Sequence, residues 1–444
     1  LFPPEAFQRL PIFIIGTTFL TERTASGQPD PRQETPEPAP LTSMAALRYR
    51  DVQFLMIGKI FGWIPLYMVL TAIAYQVYDV TGEVENLAYI GLATFAPAIG
   101  LSLITGYVAD LFDRKKVVGA CYATVMISAI LFLVWSLGDR TEIWPVFVIL
   151  VVLGTGRAFY HPAANSLVPN LVPREVFPNA IAWHTSTNKI AQTVGPMLGG
   201  FVYLAGPEYV YAIAACGLAV GAVTSFFIKT KTTRAGKEPT SWRVLFAGLR
   251  YVYDKKIIFG AITLDLFVVL LGGVTALLPV FAKDILDVGP AGAGLLRGAI
   301  AAGSLATGIA LTRVSMTHSV GVTLYISILV FGGATILFGL STVLWLSLVA
   351  MVILGIGDMI SVYIRVILIQ IATPDDMRGR VSAVNSVFTG ASNEIGEFRA
   401  GMMAAAFGAV PAVLFGGIGC FVVAAICWAA FPELRKVQRM DREL

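Results

Sequence analysis

Charge is what this chain has least of. Of its 444 residues only 14% are Asp, Glu, Lys or Arg, against 56% that are apolar. A water-soluble chain of this size needs more charge to cover its surface, so a soluble enzyme or binding module is excluded. Cysteine is also sparse. Cys121, Cys216, Cys420 and Cys427 all fall within apolar runs and lack metal-ligand spacing, so they read as small apolar fillers. His161, His184 and His318 are too scattered to form a metal set. The HEXXH, CxxC, GxSxG and P-loop patterns are missing, which argues against a membrane enzyme and against ATP-driven transport. No metal or cofactor is expected, and nothing beyond a basic linker suggests nucleic acid.

What the chain does have is long apolar stretches. Twelve runs of roughly bilayer-spanning length occupy residues 52–78, 87–109, 116–137, 143–167, 175–204, 208–228, 257–281, 290–312, 318–340, 343–370, 380–406 and 410–431. They are continuous rather than alternating, which favours helices over a barrel. The second half repeats the first. Val151, Leu153, Gly154 and Gly156 recur 201 residues later as Val352, Leu354, Gly355 and Gly357. In the same register Pro173 maps to Pro374, Ala182 to Ala383, Gly195 to Gly396 and Gly200 to Gly401. The fold class is therefore an all-α integral membrane protein, twelve helices in two pseudo-symmetric bundles, with a substrate site between the repeats.

Basic residues set the topology. With the N-terminus inside, Arg48, Arg50, Arg114, Lys115, Lys116, Arg174, Arg313, Arg378 and Arg380 lie on inner segments. The stretch 229–256 adds more, as does the tail from Arg435, whereas outer loops carry only Arg140 and Lys283. Both termini are expected in the cytoplasm. The domain reading is an N-terminal bundle over 47–228, a basic cytoplasmic linker over 229–256, a C-terminal bundle over 257–431 and a tail over 432–444. Residues 1–46 hold an apolar run too short to span a bilayer and a Pro-rich stretch, and read as a disordered or non-native tail, with Met44 a plausible start.

Two motifs carry mechanism. Gly106, Asp110, Arg114 and Lys115 lie between spans two and three, where Gly106 permits close helix approach and Asp110 can meet Arg114 or a helix N-terminus. In span five, Gly195, Pro196, Gly199 and Gly200 form a bent, thin helix segment suited to an outer gate. The first motif resembles the loop signature of the major facilitator superfamily, and the second the G-P-x-x-G-G core found in exporters of that superfamily. Together with the segments 154–175, 373–381 and 392–398, they resemble the bacterial branch that includes the enterobactin exporter and drug-efflux proteins. The usual Arg three residues before the first span-four Gly is Val151 here, leaving Arg157 as its nearest substitute.

Ionisable groups inside membrane spans are costly and mark pathways. Lys59, Arg157, Asp265, Asp358, Glu394 and Glu397 are the candidates for the substrate and proton pathway, within a set that includes Lys189, Arg297, Arg365 and Arg399. Arg157 and Asp358 are repeat mates, and the resemblance places their helices around a central cavity, so they are expected to pair. Lys59 and Asp265 form a looser second pair; alternatively each charge neutralises a nearer neighbour. Glu394 and Glu397 share a helix face and repel when both are ionised. They either carry a proton or pair with Arg399 or another cation. His184 and Asn188 share a face and are weak substrate contacts. The resemblance implies a monomeric, proton-driven exporter of a small amphipathic molecule, siderophore or drug-like, in the bacterial inner membrane. Importer, uniporter and lipid-handling readings stay open.

Overall fold

The structure is a computed structural model that describes residues 44–101, 104–105, 108, 111–138, 142–173, 175–230, 242–312 and 319–438, apart from the side chains of 242–246, 375 and 376. The N-terminal tail up to residue 43, Gly106, Asp110 and His318 lie outside these residues. Among those described there is no strand. Six long helices make the first half: α1 Arg50–Thr81, α2 Glu85–Gly100, α3 Arg114–Leu137, α4 Trp144–Leu167, α5 Phe177–Tyr203 and α6 Pro207–Phe227. Six make the second: α7 Lys256–Gly272, α8 Gly289–Leu311, α9 Val320–Leu340, α10 Leu344–Ile371, α11 Asp375–Phe407 and α12 Ala409–Ala430. Nine stretches among the described residues are long and apolar enough to cross a membrane. The three long helices outside that set are α2, which is short, and α5 and α11, which are polar. That α5 and α11 are repeat mates has a structural cause: both line the seam between the halves and not only lipid.

Each half buries its own core. One cluster runs from Trp63 to Leu218, joined by Val280, and the other from Ala261 to Val437. Helix neighbours repeat as well. In the first half α1 packs on α5 and α6, α3 on α4 and α6, and α2 on α4; in the second α7 packs on α11 and α12, α9 on α10 and α12, and α8 on α10. The repeated glycines explain how. A Cβ on Gly154 would lie 2.1 Å from the Thr94 carbonyl oxygen of α2, and one on Gly355 2.0 Å from the Ile300 carbonyl oxygen of α8. Gly156 meets α3 at the Cys121 carbonyl, and Gly357 meets α9 at that of Ser327. Gly195 abuts α1 at Ile64, and Gly396 abuts α7 at Val269. Small residues let helix backbones touch where hydrophobic burial gives no drive to associate.

Two ends can be told apart. At the basic end, Asp51 accepts hydrogen bonds from the backbone of Lys229 and Thr230, and Lys256 pairs with Glu433 at 3.7 Å. The linker is not all loop: a helix over Trp242–Asp254 packs Gly248 against the Arg380 carbonyl, and the Tyr251 hydroxyl donates to Ala372 O at 3.0 Å. At the distal end, the Tyr78 hydroxyl donates to Asp284 and Lys283 pairs with Asp79 at 2.6 Å, joining α1 to the segment after α7.

Span seven departs from the sequence reading. The continuous helix expected over 257–281 stops at Gly272, and the chain continues through short turns, Thr275–Leu277, Leu278–Val280 and a π turn over Phe281–Ile285. Adjacent Gly272 and Gly273 have poor helix propensity. The carbonyls freed by the break are taken by Arg399 of α11, which donates to Leu270 O at 2.9 Å and Leu271 O at 2.5 Å.

Gly154→Val and Gly355→Val are each expected to lower stability by about 1–3 kcal/mol through overpacking. Gly100→Ala, where nothing lies within 4 Å of an added Cβ, should leave it unchanged. Thermal unfolding of the detergent-solubilised protein measures all three.

Candidate functional site

The halves meet along two helix pairs related by the repeat, α5 with α8 and α11 with α2. At the first, a Cβ on Gly200 would lie 2.4 Å from the Pro290 carbonyl oxygen, and one on Gly294 2.4 Å from that of Pro196. Lower on the same pair, Gly298 faces Met197 and the Thr193 carbonyl. At the second, Gly401 meets Ala88, Gly91 meets Glu394 and Glu397, and Gly390 meets Phe95. With the Tyr78–Asp284 and Lys283–Asp79 contacts, these seal the distal end. Toward the basic end, Ala182, Thr185 and Ser186 of α5 and Ser382 and Ser386 of α11 are exposed. The span-five motif thus has defined partners: Gly195 and Gly199 seat α5 on Tyr67 and Met68 of α1, while Pro196 and Gly200 seat it on α8.

The interior charges sort across this seam, but not as repeat mates. Arg157 and Asp358 do not pair. Arg157 of α4 lies within electrostatic reach of Glu394 and Glu397 of α11, which Arg297 of α8 also reaches. Asp358 of α10 has Lys189 of α5 in reach, with Arg365 of its own helix. The reason is geometric. The repeat maps α4 onto α10 and α5 onto α11, so the reach of Arg157 on α4 toward α11 has the reach of Asp358 on α10 toward α5 as its mate. Each charge is felt by the helix that follows its mate. In both cases a cation of the N-terminal half answers an anion of the C-terminal half.

The Lys59–Asp265 pair is not formed either. Asp265 of α7 makes a buried ion pair with Arg365 of α10, the side chains being 7% and 3% exposed, and Arg365 also donates to Thr389 Oγ1 of α11 at 3.1 Å. The pair ties three helices of one half together. Lys59 donates from Nζ to the His184 carbonyl at 2.5 Å. Trp63, one turn on, has its ring 5.1 Å from His161 and 5.0 Å from Tyr160, whose hydroxyl accepts from Tyr122 at 2.9 Å. Arg399, expected as a partner of the two glutamates, instead caps α7 and lies over the Phe415 ring.

Of the gate motif, Gly106 and Asp110 lie outside the described residues. Arg114 donates to Ser166 O at 2.8 Å and Lys115 to Ile228 O at 2.9 Å. Both cations therefore satisfy carbonyls at the basic ends of α4 and α6, where a positive charge also favours the helix dipole. Sequence reasoning noted Lys189, Arg297 and Arg365 as interior charges but did not place them in the site; which helix faces which decides their partners. Thr389 was missed altogether, and no sequence signal distinguishes it from other span threonines.

Two six-helix bundles of repeated design, meeting along a seam of compensated charge, define a membrane transporter of the major facilitator type. The model for the transmembrane secretion effector family matches residues 41–443, and the chain belongs to that family of the superfamily. It is similar to macrolide efflux protein A of Streptococcus pyogenes, 22% identical over 380 residues that cover 83% of this chain and 92% of that protein. It is also similar to the enterobactin exporter EntS of Salmonella choleraesuis, 26% identical over 344 residues, covering 77% and 82%. Its fold matches a bacterial homolog of the human lysosomal transporter Spinster in an inward-facing, unoccupied conformation, with TM-score 0.69, 16% identity and coverage of 87% and 98%. The nucleoside transporter NupG shares it at TM-score 0.67, 14% identity and coverage of 87% and 100%.

Removing one partner of a buried ion pair costs about 3–5 kcal/mol, whereas replacing both with apolar groups can be neutral. Arg365→Leu should therefore be strongly destabilising, and the Asp265→Leu, Arg365→Leu double variant should recover at least half of the lost unfolding temperature. A double variant no more stable than the single one would show that the pair does more than neutralise itself.

Proposed function

We propose that the chain exports a small amphipathic molecule, siderophore or drug-like, across the bacterial inner membrane in exchange for protons, by rocking of its two halves. The basic end, rich in Lys and Arg, is the cytoplasmic end in this reading. The efflux roles in the names of the relatives favour export. The observation that carries proton coupling is the Glu394–Glu397 pair, held at the seam against Gly91 of α2 with Arg157 and Arg297 in reach.

The coupling works as a competition. An ionised pair holds Arg157 of the opposite half. A protonated pair loses that attraction, and the seam through α11 and α2 weakens. The two carboxylates sit three residues apart on one helix face, so neither ionises without regard to the other. A ligand or proton shifts a conformational equilibrium only by its differential affinity for the two states. Carboxylates buried at the seam when the distal end is sealed, and wetted when it opens, have such a difference. Protons therefore load from the distal side, and substrate enters from the cytoplasmic side where α5 and α11 expose polar side chains.

The test uses everted membrane vesicles with an acidic lumen, offered an amphipathic fluorescent dye from outside, so that export reads as dye uptake. The Glu394→Gln, Glu397→Gln double variant should lose gradient-driven dye transport by roughly tenfold or more, a barrier change of about 1.4 kcal/mol. Downhill dye exchange should persist. Unchanged gradient-driven transport would remove the pair from the coupling mechanism, and dye movement in the opposite sense would overturn export.

A further inference from the structure

Among the described residues, the compensated seam leaves one interior cation over. Asp265 has Arg365; Asp358 has Lys189; Glu394 and Glu397 have Arg157 and Arg297. Arg399 is engaged by two carbonyls and an aromatic face. Lys59 is only 2% exposed, and no carboxylate among the described residues neutralises it; its hydrogen bond goes to a backbone carbonyl. The ionisable groups in its reach, His161 and His184, are themselves basic, and His161 has Arg157 close by. A buried ammonium without a counter-ion is costly, so it either sheds its proton or is held charged by an anion that the chain does not itself supply.

The surroundings fit the second case. His184 Nδ1 and Asn188 Oδ1, one turn apart on α5, are buried without hydrogen-bond partners. Lys59 and His184, joined by the bond from Lys59 to the His184 carbonyl, make a polar cradle whose N–H groups can donate to an anion, while the Asn188 oxygen, an acceptor, calls for a hydroxyl or N–H on the same ligand. Lys59, Trp63 and Tyr67 lie four residues apart in succession, on one face of α1. The Trp63 and Tyr67 rings are 5.9 Å apart, so the polar cradle continues into an aromatic wall.

We propose that Lys59 and His184 form a subsite for an anionic group of the transported molecule, a carboxylate or an ionised phenol, with Asn188 Oδ1 accepting from a donor group of the same molecule, whose ring lies along Trp63 and Tyr67. This deepens the transport reading by naming a substrate chemistry, and rests on it. The anion supplies the charge that the seam does not.

Equilibrium binding tests it without a gradient, so a failure here is separable from a failure of transport in vesicles. The full chain in lipid nanodiscs is titrated with 2-naphthoate and with its neutral analogue 2-naphthamide. The wild type should bind the naphthoate about tenfold more tightly. Lys59→Gln and Lys59→Met should abolish that preference, and Lys59→Arg should retain part of it. Equal affinities in the wild type, or no binding of either probe, overturn the proposal whatever the variants do. A preference that survives in Lys59→Gln also overturns it, since the anion would then be held elsewhere, by Arg157 for instance, and Lys59 would serve as a proton carrier only.

Discussion

A charge cannot sit alone in an apolar interior, and in this chain the answering charge is often on the other half. Arg157 and Lys189 come from the first bundle, and Glu394, Glu397 and Asp358 from the second. Attraction between such groups is strong where water is excluded and weak where it enters. The interior charges therefore do not simply add stability. They make the energy of each bundle depend on how closely the other approaches, which is the property a rocking transporter needs. An ion pair confined to one half, such as Asp265 with Arg365, has a different role: it fixes three helices against one another and moves with them.

The bundles themselves are built to move as units. Within each, glycines bring helix backbones into contact, and an added Cβ at Gly154 or Gly355 would strike a neighbouring carbonyl. Buried polar bonds reinforce this. In the first half Gln76 donates to Ser136 at 2.9 Å and accepts from the Tyr211 hydroxyl at 2.6 Å, linking α1, α3 and α6. In the second half Arg399 ties α11 to the broken end of α7. Rigid halves concentrate any relative motion at the seam. The polar helices α5 and α11 lie there, as do the distal contacts of Tyr78 and Lys283, which are short in reach and partly exposed.

Hydropathy and the repeat made the architecture legible, because both are properties of composition along a helix. The glycines of the repeat were readable for the same reason: close packing needs small side chains at fixed positions, and a duplicated bundle needs them twice. The charge partners were not readable. Pairing depends on which helix faces which across the seam, and a linear register cannot express that. Arg157 and Asp358 were matched as mates, yet Arg157 of α4 reaches the carboxylates of α11 and Asp358 of α10 is reached by Lys189 of α5. The break in span seven was legible in principle from Gly272 and Gly273, but the surrounding apolar run hid it. Arg114 and Lys115 bind helix ends at Ser166 and Ile228, while Asp110, which the sequence reading set against Arg114, lies outside the described residues.

The backbone repeats and the charges do not, and the difference has a direction. A duplication that copied its charges would place like signs at equivalent positions, and the two halves would repel or require outside ions. Here the carboxylates that meet the seam come from the second half, and the first half answers them with Arg157 and Lys189 beside the second half's own Arg297 and Arg365. Compensation is then complete only while the halves are together. Once they part on one side, water, a proton or a ligand must take the place of the missing partner, and only the last two store a difference that can be coupled to transport. Glu394 and Glu397 are carboxylates that can exchange a cation for protons. Lys59 is a cation that no carboxylate among the described residues neutralises. On the proposed reading the seam holds one kind of site for a proton and another for an anion, and alternation between them requires no charge to be carried unaccompanied through the membrane.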